Sequence, residues 1–374
     1  MNTSKKIVYI VSDINKAISF EWIASALASK FDLSFILIGH PDSELARFLR
    51  REKIRVYEID DSSALRWLGQ WVKVLFILKK EKPVVIHTHL WRANLLGLSA
   101  AWLLKVKRRI YTRHHAVVHY DEFPSGRKWD ILCNALATDI IAISKNIEEI
   151  LLTKDKAKKE KIRLIHHGFD VRYFQEVSEA RVQTLKTNYK LSAEDGPVIG
   201  VISRYVEWKG IQYIIPAFAR IREKYPKAKL ILANANGNYA QSIKKLLANL
   251  PASSYLEIKF EDDLATLYCL FQIFVHVPID PFVEAFGQTY VEPLLSGVPA
   301  VFTLSGVARE FVIHQENAWV VDFKNSVQIE KAILELMANE ELKNNLIRNG
   351  KIVAGNFSLE HFIFELEKVY SEAR

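Results

Sequence analysis

Cysteine is scarce in this chain. Only Cys133 and Cys269 occur in 374 residues. Two thiols build neither a disulfide framework nor a zinc site, so a reducing cytoplasm is the expected setting. Long apolar runs are missing as well. The longest stretches free of charge, 264–279 and 293–308, carry polar residues or prolines and fall short of the ~18 apolar residues a spanning helix needs. The apolar run in the opening MNTSKKIVYIVSD stops at Asp13, too early for a signal-peptide core, and reads as a first strand. Three motifs are also absent. Without GxGxxG there is no standard dinucleotide dehydrogenase, without GxxxxGK[ST] no P-loop kinase, and without GxSxG no serine hydrolase.

What is present is an ordinary globular composition, 49% hydrophobic and 25% charged, long enough for two or three domains. Charge is uneven. The formal net charge is +8, made of +12 over residues 1–190 and −4 over the remainder. The basic first half also holds six of the eight tryptophans, Trp22, Trp67, Trp71, Trp91, Trp102 and Trp129. Such a half suits an anionic partner: nucleic acid, anionic lipid or a phosphorylated substrate. The tryptophans with Lys105, Lys107, Arg108 and Arg109 are the residues that would meet a membrane surface; core packing and a solvated face are the simpler account of them.

Short β-rich runs alternate with helix-length segments. Strands are expected at 7–12, 33–38, 84–89, 109–114 and 139–144, separated by helices at 17–30, 63–80, 92–105 and 127–137. The pattern restarts with strands at 198–203, 229–234, 256–260, 274–277 and 300–303 and helices at 210–224, 238–249, 288–296 and 325–338. Near-continuous apolar strands between helices mean parallel sheets covered on both faces, here two doubly wound α/β units in succession. RLIHH (163–167) reads as a strand before the join, and LSAEDGP (191–197) as a turn-rich boundary. The run KDKAKKEK (154–161) reads as a solvated loop, and the helix 63–80, apolar nearly all round, as packed in the core. The segment 358–374 reads as a terminal amphipathic helix capped by Ser358.

Ligands of open parallel sheets sit outside the carboxyl ends of the strands. The residues there are Ser12 and Asp13, His87 and His89, His114 and His115, then Arg204 and Lys209, and finally EAFGQTYVE at 284–292. In the last segment Gly287 permits a close backbone approach, and Gln288 and Thr289 present free N–H groups at a helix start, a ready phosphate site. Arg204 and Lys209 can neutralise a diphosphate. Glu292, about one turn inside that helix, can accept both hydroxyls of a ribose. His87 and His89 share a strand face but lack a third ligand at useful spacing, so no metal is expected.

These residues resemble a known family. EAFGQTYVEPLLSGVPAV resembles the Glu-x7-Glu signature of retaining GT-B glycosyltransferases of family 4 (glycosyl transferases group 1), with Glu284 and Glu292 as the two acids. SRYVEWKG (203–210) is similar to its phosphate-binding element and HHGFDVRYF (166–174) to its interdomain junction. IHTH (86–89), TRHH (112–115) and AISKNIEEIL (142–151) are similar to its first domain, and SGVAREFVIHQENAWVV (305–321) keeps Gly306, Glu310 and Asn317. Three features depart from the family: the loop SDINKAIS (12–19) has no glycine, Val307 replaces a second Gly, and Glu261 follows the strand that faces the base.

The resemblance implies the GT-B fold: two Rossmann-like domains facing a cleft, with a C-terminal helix crossing back to the first. The domains would be 1–177 plus 358–374 on the acceptor side and 178–357 for the nucleotide sugar. It implies a metal-independent hexosyltransferase with no cofactor, whose donor is a nucleoside-diphosphate sugar, UDP or GDP. The acceptor would be a hydroxyl, lipid-linked or on an anionic glycan, in polysaccharide or glycolipid assembly. The enzyme would be cytoplasmic, peripheral at the inner face of the membrane through its basic domain, and would bind no nucleic acid. By the same carry-over Arg204 and Lys209 contact the diphosphate, with Phe286, Gly287, Gln288 and Thr289 completing the donor site. Glu292 binds ribose, Glu284 the sugar hydroxyls, and His114 meets the transferred sugar. Two rivals stand beside it: a nucleotide-sugar epimerase on the same fold and, from charge alone, a basic nucleic-acid-binding protein, the latter weakened by the lack of a basic–aromatic RNA module.

Overall fold

The computed structural model describes residues 5–60, 66–121, 123–192 and 194–372. The first residues of the expected helix 63–80, the last two of 358–374 and residue 193 of the boundary turn lie outside the described residues. The chain divides into two compact units, Met1–Phe169 with Leu359–Arg374, and Asp170–Ser358.

The first unit is built on seven parallel strands: β1 Lys6–Ser12, β2 Asp32–Gly39, β3 Arg55–Asp60, β4 Val85–His89, β5 Arg108–Arg113, β6 Asp139–Ala142 and β7 Ile162–Leu164. Their order is β3-β2-β1-β4-β5-β6-β7, the doubly wound arrangement whose order reverses between β1 and β4. Ile7–Val11 and Phe35–Ile38 are buried along their whole length, because helices cover both faces and no alternation is needed. Strand β3 escapes the apolar pattern for the opposite reason. It is a sheet edge, and RVYEID is mostly half-buried.

The C-terminal helix Leu359–Ser371 packs on this first sheet. The Tyr370 hydroxyl lies 2.5 Å from that of Tyr9 on β1 and 2.7 Å from His87 Nδ1 on β4. His87 Nε2 bonds Thr112 Oγ1 at 2.8 Å. One nitrogen of His87 is thus used by the terminal helix and the other by β5.

Several sequence expectations need correction. Arg108 and Arg109 do not face outward. Arg108 is buried, pairs with Asp139 at 3.3 Å and donates to the Val369 carbonyl of the terminal helix, while Arg109 donates to the carbonyls of Leu136 and Val106. In the helix Arg66–Glu81 only part of the apolar surface is core. Val74 and Leu78 are buried, but Trp67, Leu68 and Phe76 are 40%, 60% and 66% exposed. The run 154–161 is more than a solvated loop: Asp155 is buried, and Lys161 Nζ donates to the carbonyls of Asn134, Ala135 and Ala137. No described helix is long and apolar enough to cross a membrane.

The second unit repeats the plan with six parallel strands: β8 Val198–Ile202, β9 Lys229–Ala233, β10 Tyr255–Ile258, β11 Ile273–His276, β12 Ala300–Phe302 and β13 Trp319–Val320. Their order is β10-β9-β8-β11-β12-β13, so the reversal falls between β8 and β11. Val201, Phe218, Ile221, Leu232 and Val275 belong to its core. The expected helix 288–296 is a 3-10 turn, Gln288–Tyr290, followed by the four-residue helix Glu292–Leu295. Pro293 explains the break, since its ring removes a backbone donor and is tolerated only at a helix start. Glu292 therefore opens the short helix instead of lying a turn inside one.

Candidate functional site

In the second unit the order reversal brings the carboxyl ends of β8 and β11 side by side, the place where doubly wound sheets take their ligands. After β8 come Ser203, exposed Arg204 and a 3-10 turn, Glu207–Lys209. Gly210 ends that turn at φ +76°, and a Cβ there would stand 1.9 Å from the Val277 carbonyl oxygen. With Ile279 N–H donating to the Trp208 carbonyl at 3.0 Å, the turn is pressed onto the chain that leaves β11. Only glycine admits both the backbone angle and the approach.

Lys209 is held over the Trp208 ring, 4.6 Å from its centroid, and its Nζ reaches Glu284 Oε1 at 2.5 Å. His276, the last residue of β11, places Nε2 3.0 Å from the same oxygen. Behind Glu284, the Ser305 hydroxyl accepts from its N–H at 3.3 Å, and the Val307 N–H donates to the Phe286 carbonyl at 3.0 Å. Gly306, at φ +55°, leaves no space for a Cβ, which would lie 2.7 Å from both Glu284 Cβ and the Phe286 oxygen. Gly287, at φ +85°, is closed in by the Tyr290 ring, and its missing Cβ would stand 3.6 Å from Glu284 Cδ. Lys209, His276, Glu284 and the Gly287 turn therefore converge.

The two acids of the segment are pushed in opposite directions. Burial would raise Glu284, but Lys209 and the His276 hydrogen bond outweigh it and hold the carboxyl down to about 2. Burial dominates at Glu292 and pushes it up to about 7, despite the Tyr268 hydroxyl that donates to its Oε2 at 2.7 Å. His276 is lowered by burial; neutral, it donates from Nε2 to Glu284, and its buried Nδ1 has no partner.

Of the other expected residues, Gln288 is exposed and Thr289 half-buried. Phe286 is core: its ring meets Phe357 at 5.9 Å, so its side chain supports the loop and only its backbone borders the Gly287 turn. Arg204 lies at the carboxyl end of β8, on the same loop as Lys209. His114 belongs to the first unit, just past β5. Its Nε2 lies 3.0 Å from His89 Nδ1, its ring stacks on His167 at 5.6 Å, and burial among these histidines pushes it well below the usual range, leaving it neutral. In the glycine-free loop after β1, Asp13 itself takes the left-handed conformation, φ +58°, and pairs with Arg92.

Reading along the sequence missed His276 and Tyr268. The signal for His276 was present as the one polar residue in an otherwise apolar strand. Tyr268 carried none, because its link to Glu292 is made only by the fold.

Two parallel-sheet α/β units, each with its polar residues gathered at a strand-order reversal, fit the GT-B fold. Residues 182–353 match the model of the glycosyl transferases group 1, and residues 22–173 that of Glycosyltransferase Family 4. The chain belongs to the group 1 glycosyltransferases. It is 27% identical over 314 residues to the capsular polysaccharide biosynthesis glycosyltransferase CapM of Staphylococcus aureus, covering 81% of this chain and 80% of that one. It is 22% identical over 291 residues to the lipopolysaccharide core biosynthesis glycosyltransferase LpsE of Rhizobium meliloti, covering 77% and 76%. Among solved structures, Anabaena HepE in complex with UDP-glucose superposes with a TM-score of 0.84 at 19% identity, over 98% of this chain and 99% of that one.

Proposed function

We propose that this glycosyltransferase moves a hexose from a nucleoside-diphosphate sugar, UDP before GDP, to a hydroxyl acceptor with retention at the anomeric carbon. The observation that carries the reading is the convergence of Lys209, His276 and Glu284 at the β8/β11 reversal, with Glu292 buried eight residues further along. The UDP-glucose complex of HepE supports the donor class.

In the reaction the C1–O bond to the diphosphate breaks while the acceptor oxygen bonds C1. Negative charge grows on the leaving group, and Arg204, Lys209 and the amides of Gln288 and Thr289 oppose it, which requires no metal. Attack on the leaving-group face lets the departing phosphate oxygen take the acceptor proton, so no protein base is needed. Glu284 holds sugar hydroxyls and Glu292 the ribose.

The acceptor belongs to cell-envelope polysaccharide or glycolipid assembly, as the names of CapM and LpsE suggest. The protein works in the cytoplasm at the membrane's inner face. Exposed Trp67, Leu68, Phe76, Trp102 and Leu103, interspersed with exposed lysines such as Lys79, Lys80, Lys105 and Lys107, suit an anionic bilayer. Equal, negligible binding to anionic and neutral vesicles removes that membrane contact.

Calorimetric titration with UDP-, GDP-, ADP- and CDP-sugars, on wild type, Glu284→Ala and Glu292→Ala, tests the core of the reading. Binding of a UDP-sugar, weakened in Glu292→Ala, with turnover lost more than binding in Glu284→Ala, is the expected result. No binding by any of the four, or wild-type behaviour of both variants, overturns it.

A further inference from the structure

The first unit holds a second cluster that the transfer reaction does not use. His115 Nε2, His119 Nδ1 and Asp130 Oδ2 form a triangle with edges of 3.1 Å between the nitrogens, 3.2 Å from His115 to the carboxylate and 2.7 Å from His119 to it. Asp130 and His119 are buried and His115 is half-buried. A triangle of this kind resists protonation alone. If both nitrogens carry protons toward the carboxylate, two donors face each other across the nitrogen–nitrogen edge. If only one does, the other nitrogen turns a lone pair to a carboxylate oxygen. Each arrangement leaves one edge repulsive, whereas a cation at the centre satisfies all three lone pairs.

The geometry also suits an ion. Ligand atoms about 2.1 Å from a tetrahedral zinc stand roughly 3.4 Å from one another. Two edges are within roughly 0.3 Å of that spacing, and the third must open by roughly 0.7 Å. Two imidazoles with one carboxylate is a donor set for first-row divalent metals.

The surroundings hold these ligands in place. Arg113 Nη1 lies 2.8 Å from Asp130 Oδ2 and Arg113 Nη2 3.3 Å from Asp155, so one guanidinium stands between two carboxylates. The Tyr120 hydroxyl bonds Asp155. Arg113 Nε donates to the His115 carbonyl at 3.0 Å. The His119 ring lies over Gly126, where a Cβ would meet Cδ2 at 2.5 Å, and against Trp91 at 5.9 Å.

We propose that His115, His119 and Asp130 bind one divalent first-row metal ion, zinc by preference, which pins the chain after β5 to the helix Arg127–Leu136. The ion clamps the segment that begins with His114. It takes no part in neutralising the donor phosphates, whose proposed ligands all lie in the other unit, and the inference does not depend on the donor reading.

The test uses the full chain, stripped with a chelator and dialysed. Zinc is titrated by calorimetry, and cobalt(II) by its visible absorption. One ion per chain is expected, with affinity at least ~10-fold weaker in His115→Gln and in His119→Gln, and unchanged in His40→Gln, an exposed control. These neutral replacements spare the Arg113–Asp130 pair. Failure of the wild-type chain to bind a stoichiometric ion overturns the proposal. So does equal binding by wild type and the two site variants, which assigns the ion to surface histidines. A folded circular-dichroism spectrum for each variant separates lost ligation from lost structure.

Discussion

Lys209 Nζ lies 2.5 Å from Glu284 Oε1, so the cation assigned to the donor's diphosphate and the acid assigned to its sugar neutralise each other. Both are largely buried, their side chains 13% and 7% exposed. Removing one partner of such a pair strands the other's charge and costs about 3 kcal/mol or more. Lys209→Met and Glu284→Gln are each expected to destabilise by about that amount in urea denaturation, and the double variant by less than the sum. Strict additivity would mean that the two side chains do not sense each other.

The opposed acids predict two separate pH windows. Glu292 is raised from 4.5 to about 7, so the folded state keeps its proton longer than the unfolded chain. Stability from this group is full below pH 4.5 and falls by about 3 kcal/mol as pH rises toward 7. Glu284 is lowered from 4.5 to about 2. Its contribution is full above pH 4.5 and falls by a similar, about 3 kcal/mol, amount as pH drops toward 2. Glu292→Gln should flatten the first window and leave the second. Unfolding measured between pH 2 and 8 checks this, and identical slopes in wild type and variant above pH 4.5 would remove burial as the cause of the shift.

Much of this architecture is legible in the residues because fully covered parallel strands are apolar end to end, as at Ile7–Val11 and Phe35–Ile38. What escaped has physical reasons. Strand β3 is a half-wet edge, and β13 is two residues long. The helix expected at 288–296 is cut by Pro293. At the site, the Glu284/Glu292 spacing and the glycines were readable because they are local. The partners His276 and Tyr268 come from separate elements and meet the acids only after folding. Of the ligand-like group after β5 only His115 was in view, within TRHH (112–115); His119 carried no signal, and Asp130 arrives from the next long helix.

Tyr370 offers a test of how the terminal helix is held. Its hydroxyl serves Tyr9 and His87 at once, and Tyr370→Phe leaves both buried polar groups a partner short. The cost expected is about 1–3 kcal/mol, with faster amide exchange along Leu359–Ser371. Unchanged exchange there would mean that the helix is held without this hydroxyl, by contacts such as those of Arg108 with the Val369 carbonyl and Lys30 with Glu367.

Arg204 separates binding from folding better than Lys209 does. Lys209 is tied to Glu284, so its removal perturbs the fold and the site together. Arg204 is exposed at the end of β8, and no described residue accepts a hydrogen bond from its side chain. Arg204→Ala should therefore shift stability by no more than about 0.5 kcal/mol. If the guanidinium grips a phosphate oxygen, the same change removes a charge-assisted hydrogen bond of about 1.5–3 kcal/mol, roughly a 10- to 100-fold loss of UDP affinity. Free uridine, which has no phosphate, should bind both forms alike. Calorimetry with UDP and uridine on wild type and variant reads the difference directly. Equal UDP affinity would take Arg204 out of the diphosphate site and leave Lys209 and the Gly287 turn to carry the charge.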